Sequence, residues 1–238
     1  MTLPIEISPN PLIRSTVEIR FSAKIERTKL FSAVYPSFAS TFPIFEENKI
    51  PKEIRNLRSE LKFSPDYILK NDDFTLSFGA NSISFENASE YKFWRVYFPF
   101  IKHQLEIFFS LNIIDRINRI GVRYASIFGD GKKIDDILQL STALNIDGYN
   151  QTFVSMNNIY KKGNYNFRVQ LADNAQLIKN NKPLSGAYID IDGSYKGELQ
   201  PDTNIFNLID EIHTEGKNLF FLKLLKPSFL ATLNPKYS

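Results

Sequence analysis

The chain has 238 residues, a formal charge of +3, 43% apolar and 23% charged residues, and no cysteine. That length suits one large domain or two small ones with a real core. Without cysteine, disulfides, thiolate-ligated zinc, iron–sulfur clusters and thiol catalysis are excluded, and so small a net charge gives no argument for nucleic-acid binding. The 21 Phe and 11 Tyr against one Trp predict an aromatic-rich core. Met1-Thr2-Leu3-Pro4-Ile5-Glu6 lacks the basic start and apolar run of a signal peptide. No stretch of about 18 apolar residues occurs; the most apolar one, Phe93 to Leu111, is broken by Arg95, Lys102, Gln104 and Glu106. The expectation is a cytoplasmic protein with no membrane partner.

Residues 1–11, with Pro4, Pro9 and Pro11, read as an extended lead-in. Ile13 to Phe21 has a period of two. Ile13, Val17, Ile19 and Phe21 take one face of a half-buried strand, and Arg14, Thr16, Glu18 and Arg20 the other. From Glu26 to Ala39 the period changes: Leu30, Phe31, Val34, Tyr35 and Phe38 mark an amphipathic helix, which Pro36 should kink or break. A short helix is expected from Pro51 to about Leu61. A meander follows, with strands at 67–69, 74–78 and 82–85 and turns at Asn71-Asp72-Asp73 and Gly79-Ala80-Asn81. Tyr91 to Leu111 is helical through Trp94, Tyr97, Phe98, Ile101, Leu105 and Phe108, with Pro99 as a kink or the true start.

Arg119 to Phe128 reads as a central strand, with Ile120, Val122 and Tyr124 opposite Arg119, Gly121 and Arg123. A short helix over Lys133 to Leu140 is expected next. Strands follow at 152–160 and 165–171, joined at Lys161-Lys162-Gly163-Asn164; residues 173–186 have no clear pattern. Tyr188 to Gly193 is a strand ending at its glycine. Thr203 or Asp202 can cap a last helix whose stripe is Ile205, Leu208, Ile209, Ile212, Leu219 and Leu222.

Strand, helix, three strands and helix therefore occur twice. A slide of 103 positions lays Glu18-Ile19-Arg20-Phe21 on Gly121-Val122-Arg123-Tyr124. The expected fold is α+β: a duplicated strand-helix-three-strand-helix unit forming one curved antiparallel sheet with the long helices on one face, TBP-like or helix-grip-like. The expected halves are 1–112 and 113–238, sharing one core.

Asn10-Pro11-Leu12-Ile13 leading to Val17-Glu18-Ile19-Arg20-Phe21, then Arg119 to Tyr124, then Tyr188-Ile189-Asp190-Ile191-Asp192, and Ile212-His213-Thr214-Glu215-Gly216-Lys217-Asn218-Leu219-Phe220-Phe221 carry a resemblance. In their order and spacing, they resemble a sporadically distributed bacterial and archaeal family of similar length and uncharacterised function. Ile212 stands where that family usually has Leu, and Leu219 where it often has Arg or Lys. The family supplies no catalytic residues. Its patchy occurrence implies an accessory role, such as defence or toxin neutralisation.

Asp190 and Asp192 share one strand face, roughly 6.6–7 Å apart. Such a pair can contribute to a Mg²⁺ or Ca²⁺ site, with a third oxygen ligand from Glu18 or elsewhere; the preferred reading is pairing with Arg20, Arg123 or Arg168. His213 and Lys217, four apart, share a helix face. An acid/base and cation pair is one reading, but surface positions are preferred for His213 and for His103, and Asn218 is expected to bond loop backbone. No nucleophile elbow, phosphate loop or dinucleotide fingerprint occurs, so no cofactor is expected. Gly129-Asp130-Gly131-Lys132 reads as a plain turn, and Lys132-Lys133, Lys161-Lys162 and Lys179 as solvated basic spots. The non-core sheet face should gather Arg14, Glu18, Arg20, Arg119, Arg123, Arg168, Gln170, Asp190 and Asp192, with a salt-bridge ladder as the preferred reading and a recognition surface for an acidic protein or a nucleic-acid backbone as the other. The expected function is a non-catalytic binding or accessory protein with a protein partner. The alternative is a metal-dependent hydrolase or nuclease using Asp190 and Asp192. Oligomeric state is left open.

Overall fold

The computed structural model describes residues 2–58, 61–88, 90–129, 131–142, 146–179, 182–201 and 203–237. The period-two stretches become strands and the period-3.6 stretches helices. In order these are β1 (Leu12–Ala23), α1 (Arg27–Phe38), β2 (Ile44–Glu47), α2 (Lys52–Leu57), β3 (Tyr67–Lys70), β4 (Phe74–Gly79), β5 (Ser82–Asn87), α3 (Trp94–Ser110) and β6 (Ile114–Phe128). Then come α4 (Ile134–Ile137), β7 (Ser155–Lys162), β8 (Tyr165–Lys179), β9 (Lys182–Leu199), α5 (Ile205–Asn218), a π-helical turn (Leu219–Leu224) and α6 (Pro227–Ala231). The strands form an open antiparallel sheet in the order β2-β3-β4-β5-β1-β6-β9-β8-β7, so the chain is α+β.

The chain packs into two compact units. One comprises residues 15–122 and 195–209. There β1 pairs with β5, Val17 opposite Phe85 and Ile19 opposite Ile83, and β5 continues into the β4–β3–β2 meander. The alternation buries Val17, Ile19, Phe21, Leu76, Phe78, Ile83 and Phe85. Leu30, Val34 and Phe38 of α1 and Tyr97, Ile101, Leu105 and Phe108 of α3 are also buried. As expected, aromatics dominate: Phe21 meets Phe108 at 5.4 Å between ring centroids, and Phe74 stacks on Phe100 at 4.1 Å. The buried Tyr97 hydroxyl is satisfied by donating to the Phe85 carbonyl at 2.6 Å.

The other unit comprises residues 1–14, 123–194 and 210–238. β7 and β8 form a hairpin with Lys162 opposite Tyr165, leaving a two-residue turn in which Gly163 takes φ +58°. Phe167, Val169, Leu171, Ala187, Ile189 and Ile191 are buried with Ile212 of α5. The proline-rich lead-in is tied down by the C-terminal segment: Ile5 N–H donates to the Lys236 carbonyl and Ser8 N–H to that of Leu233.

Several boundaries differ from expectation. Both prolines lie inside continuous helices, Pro36 in α1 and Pro99 in α3. Each is exposed, as is the residue four before it, Ser32 or Arg95, so the carbonyl left without an N–H partner lies on the water side. β6 begins five residues before Arg119, α4 is a single turn, and β9 runs on past Gly193. Residues 173–179 are strand, although they lack apolar alternation. Asp173 is buried there because its carboxylate accepts the backbone N–H groups of Ile134 and Val154. α5 starts at Ile205, two residues beyond Thr203. Asp202, Asp130 and the side chain of Lys179 lie outside the described residues.

Candidate functional site

In the first unit, the alternation of β1 sends Glu18 and Arg20 to the face opposite Ile19 and Phe21. The Glu18 carboxylate holds two guanidiniums. Its Oε2 accepts Arg119 Nη1 at 2.6 Å and Arg20 Nε at 2.8 Å, and its Oε1 accepts Arg20 Nη2 at 3.3 Å. Arg119 is nearly buried, 9% exposed at its side chain, whereas Arg20 keeps 29% in solvent. The Arg20 guanidinium also lies 3.9 Å above the Phe63 ring, which fixes its plane. Beside this pair is a cleft of about 560 Å³, into which Arg20, Arg119, Lys62 and Lys196 bring cationic side chains and Asn81 and Asn118 carboxamides. Among the described residues, none that lines it is acidic. Glu18 bridges the two arginines, and Lys62 and Lys196 add cationic side chains that form no ion pair among the described residues.

The second unit carries an arginine–aspartate pair. Arg123 clasps Asp190: its Nε donates at 3.0 and 3.1 Å to the two oxygens and its Nη2 at 2.5 Å to Oδ2. Tyr188, two residues along β9, donates its hydroxyl to the same Oδ2 at 3.0 Å. Asp190 is 2% exposed at its side chain. The bond to Asp190 holds the Arg123 guanidinium more firmly protonated than usual, and Asp192 adds to that field. Burial, reinforced by the Asp190 charge, pushes the Tyr188 phenol up. Of the pairings expected for the two aspartates, the one to Arg123 is formed at Asp190.

His213 is the main correction. It is buried in the second unit, not on a helix surface. Its Nδ1 lies 2.7 Å from the Tyr124 hydroxyl. Burial, and then the nearby Lys217 charge, push its pKa down to about 3, so the ring is neutral at physiological pH. The neutral ring can accept the Tyr124 hydroxyl proton at Nδ1 or donate from it. Burial also lowers the Lys217 ammonium. The reason lies in phase: Ile205, Ile209, Ile212, His213 and Gly216 are buried on α5, a stripe that includes the histidine. The π-helical turn after Asn218 shifts that phase, so Leu219 and Leu222 are only half-buried.

The ten candidate residues thus fall into separate groups: Glu18, Arg20 and Arg119; Arg123, Asp190 and the half-buried Asp192; and His213 with Lys217. Arg168 is exposed on β8 and Asn218 ends α5. His103 is exposed on α3, as expected. Sequence reasoning missed Phe63, Lys62, Asn81, Asn118 and Lys196 around the cleft, and Tyr188 and Tyr124 as hydrogen-bond partners. Only Tyr188 had a usable signal, its same-face spacing to Asp190; the others meet through strand register and an aperiodic loop. Among the described residues no His, Asp and Glu group of three or more could hold a metal ion, and no helix is long and apolar enough to cross a membrane. No protein-family model matches the chain, and no curated protein matches its sequence.

Proposed function

We propose that the chain is a non-catalytic binding protein whose arginine-rich sheet positions recognise an acidic protein partner. The observation that carries this reading is the state of Arg20 and Arg123. Each is fixed by a carboxylate from its own unit, yet each keeps roughly a third of its side chain in solvent. Arginines fixed in this way lose little entropy when they meet an acidic surface. The strand order is consistent with the duplicated unit expected from the sequence: stepping outward from adjacent β1 and β6, β5, β4 and β3 match β9, β8 and β7. A TBP-like duplication and the resemblance to an accessory family both favour recognition over turnover, in a defence or toxin-neutralising setting. The metal-dependent alternative requires Asp190 to give up both Arg123 and Tyr188, a substantial cost for a buried carboxylate. The test is affinity capture from the native host with wild type, Arg123→Ala and the Arg20→Ala/Arg123→Ala pair. A partner retained by wild type and lost with the pair is expected; an unchanged set of captured proteins overturns the reading.

A further inference from the structure

We infer that the cleft beside Glu18 binds a phosphate monoester of a small polar molecule, of sugar-phosphate or mononucleotide size. This deepens, and rests on, the reading of the arginine-bearing face as a recognition surface. Its volume, about 560 Å³, lies within the range of small-molecule sites. Its chemistry is one-sided: Arg20, Lys62, Arg119 and Lys196 line it, with no acidic lining residue among the described ones. Glu18 bridges Arg20 and Arg119, while Lys62 and Lys196 form no ion pair among the described residues, which leaves positive charge on the lining that the described residues do not neutralise. A phosphate monoester, close to dianionic at neutral pH, matches that surplus, as a neutral or cationic ligand does not. Glu18 also does for the guanidiniums what a designed site needs, holding them in place before the ligand arrives. Arg20 is held on two sides, by Glu18 at its edge and by Phe63 beneath its plane. Asn81 and Asn118 also line the cleft, Asn118 with its Nδ2 donating to the Ser22 hydroxyl at 3.1 Å, so polar lining suited to a polyol or ribose lies beside the cations. The exposed Lys62 and Lys196 supply point charges at the mouth.

The experiment is calorimetric titration of the full chain at low ionic strength with ribose 5-phosphate and AMP, against ribose and adenosine. Saturable binding is expected for both esters and for neither unphosphorylated compound. Lys62→Ala/Lys196→Ala, two exposed positions whose loss leaves the fold intact, should weaken AMP by about tenfold or more, and Arg20→Ala should act in the same direction. Arg123→Ala, in the other unit, should leave ester binding unchanged while partner capture falls, so the two readings fail separately. Absence of saturable binding by either ester, equal binding of AMP and adenosine, or undiminished binding by the double lysine variant overturns the inference. So does tight binding of a single-stranded oligonucleotide with AMP silent, which would assign the cleft to a nucleic-acid backbone.

Discussion

Arg119 folds back over Gly121, so that a Cβ built on the glycine would lie 2.1 Å from Arg119 Nη1 and 2.7 Å from its Cζ. Two residues apart on a strand, the pair share a face, and the missing side chain is what lets the guanidinium lie along β6 and reach Glu18 on β1. Gly121→Ala should expel the Arg119 head and leave Glu18 with one partner, costing about 1–3 kcal/mol. All three nearest neighbours of that Cβ belong to Arg119, so the cost should vanish in an Arg119→Ala background, where alanine is neutral or slightly favourable. Urea unfolding of the four proteins gives the coupling. Additive effects would show that Arg119 does not occupy this position.

Two other glycines predict opposite outcomes. A Cβ on Gly193 would meet Ile212 Cγ2 at 2.7 Å and Phe167 Cε1 at 2.8 Å, inside the packed layer between β8, β9 and α5. Gly193→Ala should destabilise by about 1–3 kcal/mol through overpacking. Gly216, within α5, has nothing within 4 Å of its would-be Cβ. Gly216→Ala should therefore stabilise by about 0.5–1 kcal/mol, since it removes backbone freedom from the unfolded chain and improves helix propensity. Thermal melts of the two variants should move to opposite sides of wild type.

The sequence made β1, the β3–β5 meander, β6, α3 and α5 legible because each has one face in water and one in the core, and that contrast prints a period. It failed where the contrast is absent. The later part of β8 has little apolar alternation, and its one fully buried position there, Asp173, is held by backbone N–H groups from two loops. Pro36 and Pro99 lie within helices rather than ending them, because a proline's lost hydrogen bond matters less when the orphaned carbonyl faces solvent. The phase of α5 was readable from Ile205 and Ile209, and it places His213 inside. An isolated histidine nevertheless reads as polar until its partner, Tyr124, is known. The charged groups were visible as a set of residue types; who pairs with whom depends on strand register and on Phe63, in a loop without periodicity.

Asp190→Asn tests the Arg123–Asp190 pair. The substitution keeps the shape and removes the charge, so Arg123 loses its ion pair but can still turn to water, being 38% exposed at its side chain. That access cuts the penalty below that of a fully buried broken pair, and about 1–3 kcal/mol of destabilisation is expected by chemical denaturation. The same variant checks the metal reading. Titration of wild type with millimolar Mg²⁺, Mn²⁺ or Ca²⁺ should give no saturable heat. Heat that is present in wild type and gone in Asp190→Asn would restore the hydrolase alternative.

His213 gives the fold a defined acid sensitivity. In the folded chain burial, and secondarily Lys217, hold its pKa at about 3, whereas in the unfolded chain it titrates near the ordinary value of about 6.5. Between those two values the unfolded state carries a proton that the folded state refuses. The neutral ring's contribution to stability is therefore complete above pH 6.5, is lost as pH falls, and stops changing below about pH 3. Over that window His213 alone should add a slope approaching about 1.4 kcal/mol per pH unit. His213→Asn keeps an acceptor for the Tyr124 hydroxyl and cannot be protonated in this range, so it should be less stable than wild type at pH 7 but lose stability more slowly on acidification. The measurement is urea unfolding of both proteins from pH 7 to 4.5, with the other titrating groups cancelling in the difference. Parallel curves would mean that His213 is protonated as easily in the folded chain as in the unfolded one, contrary to the lowering that its burial imposes.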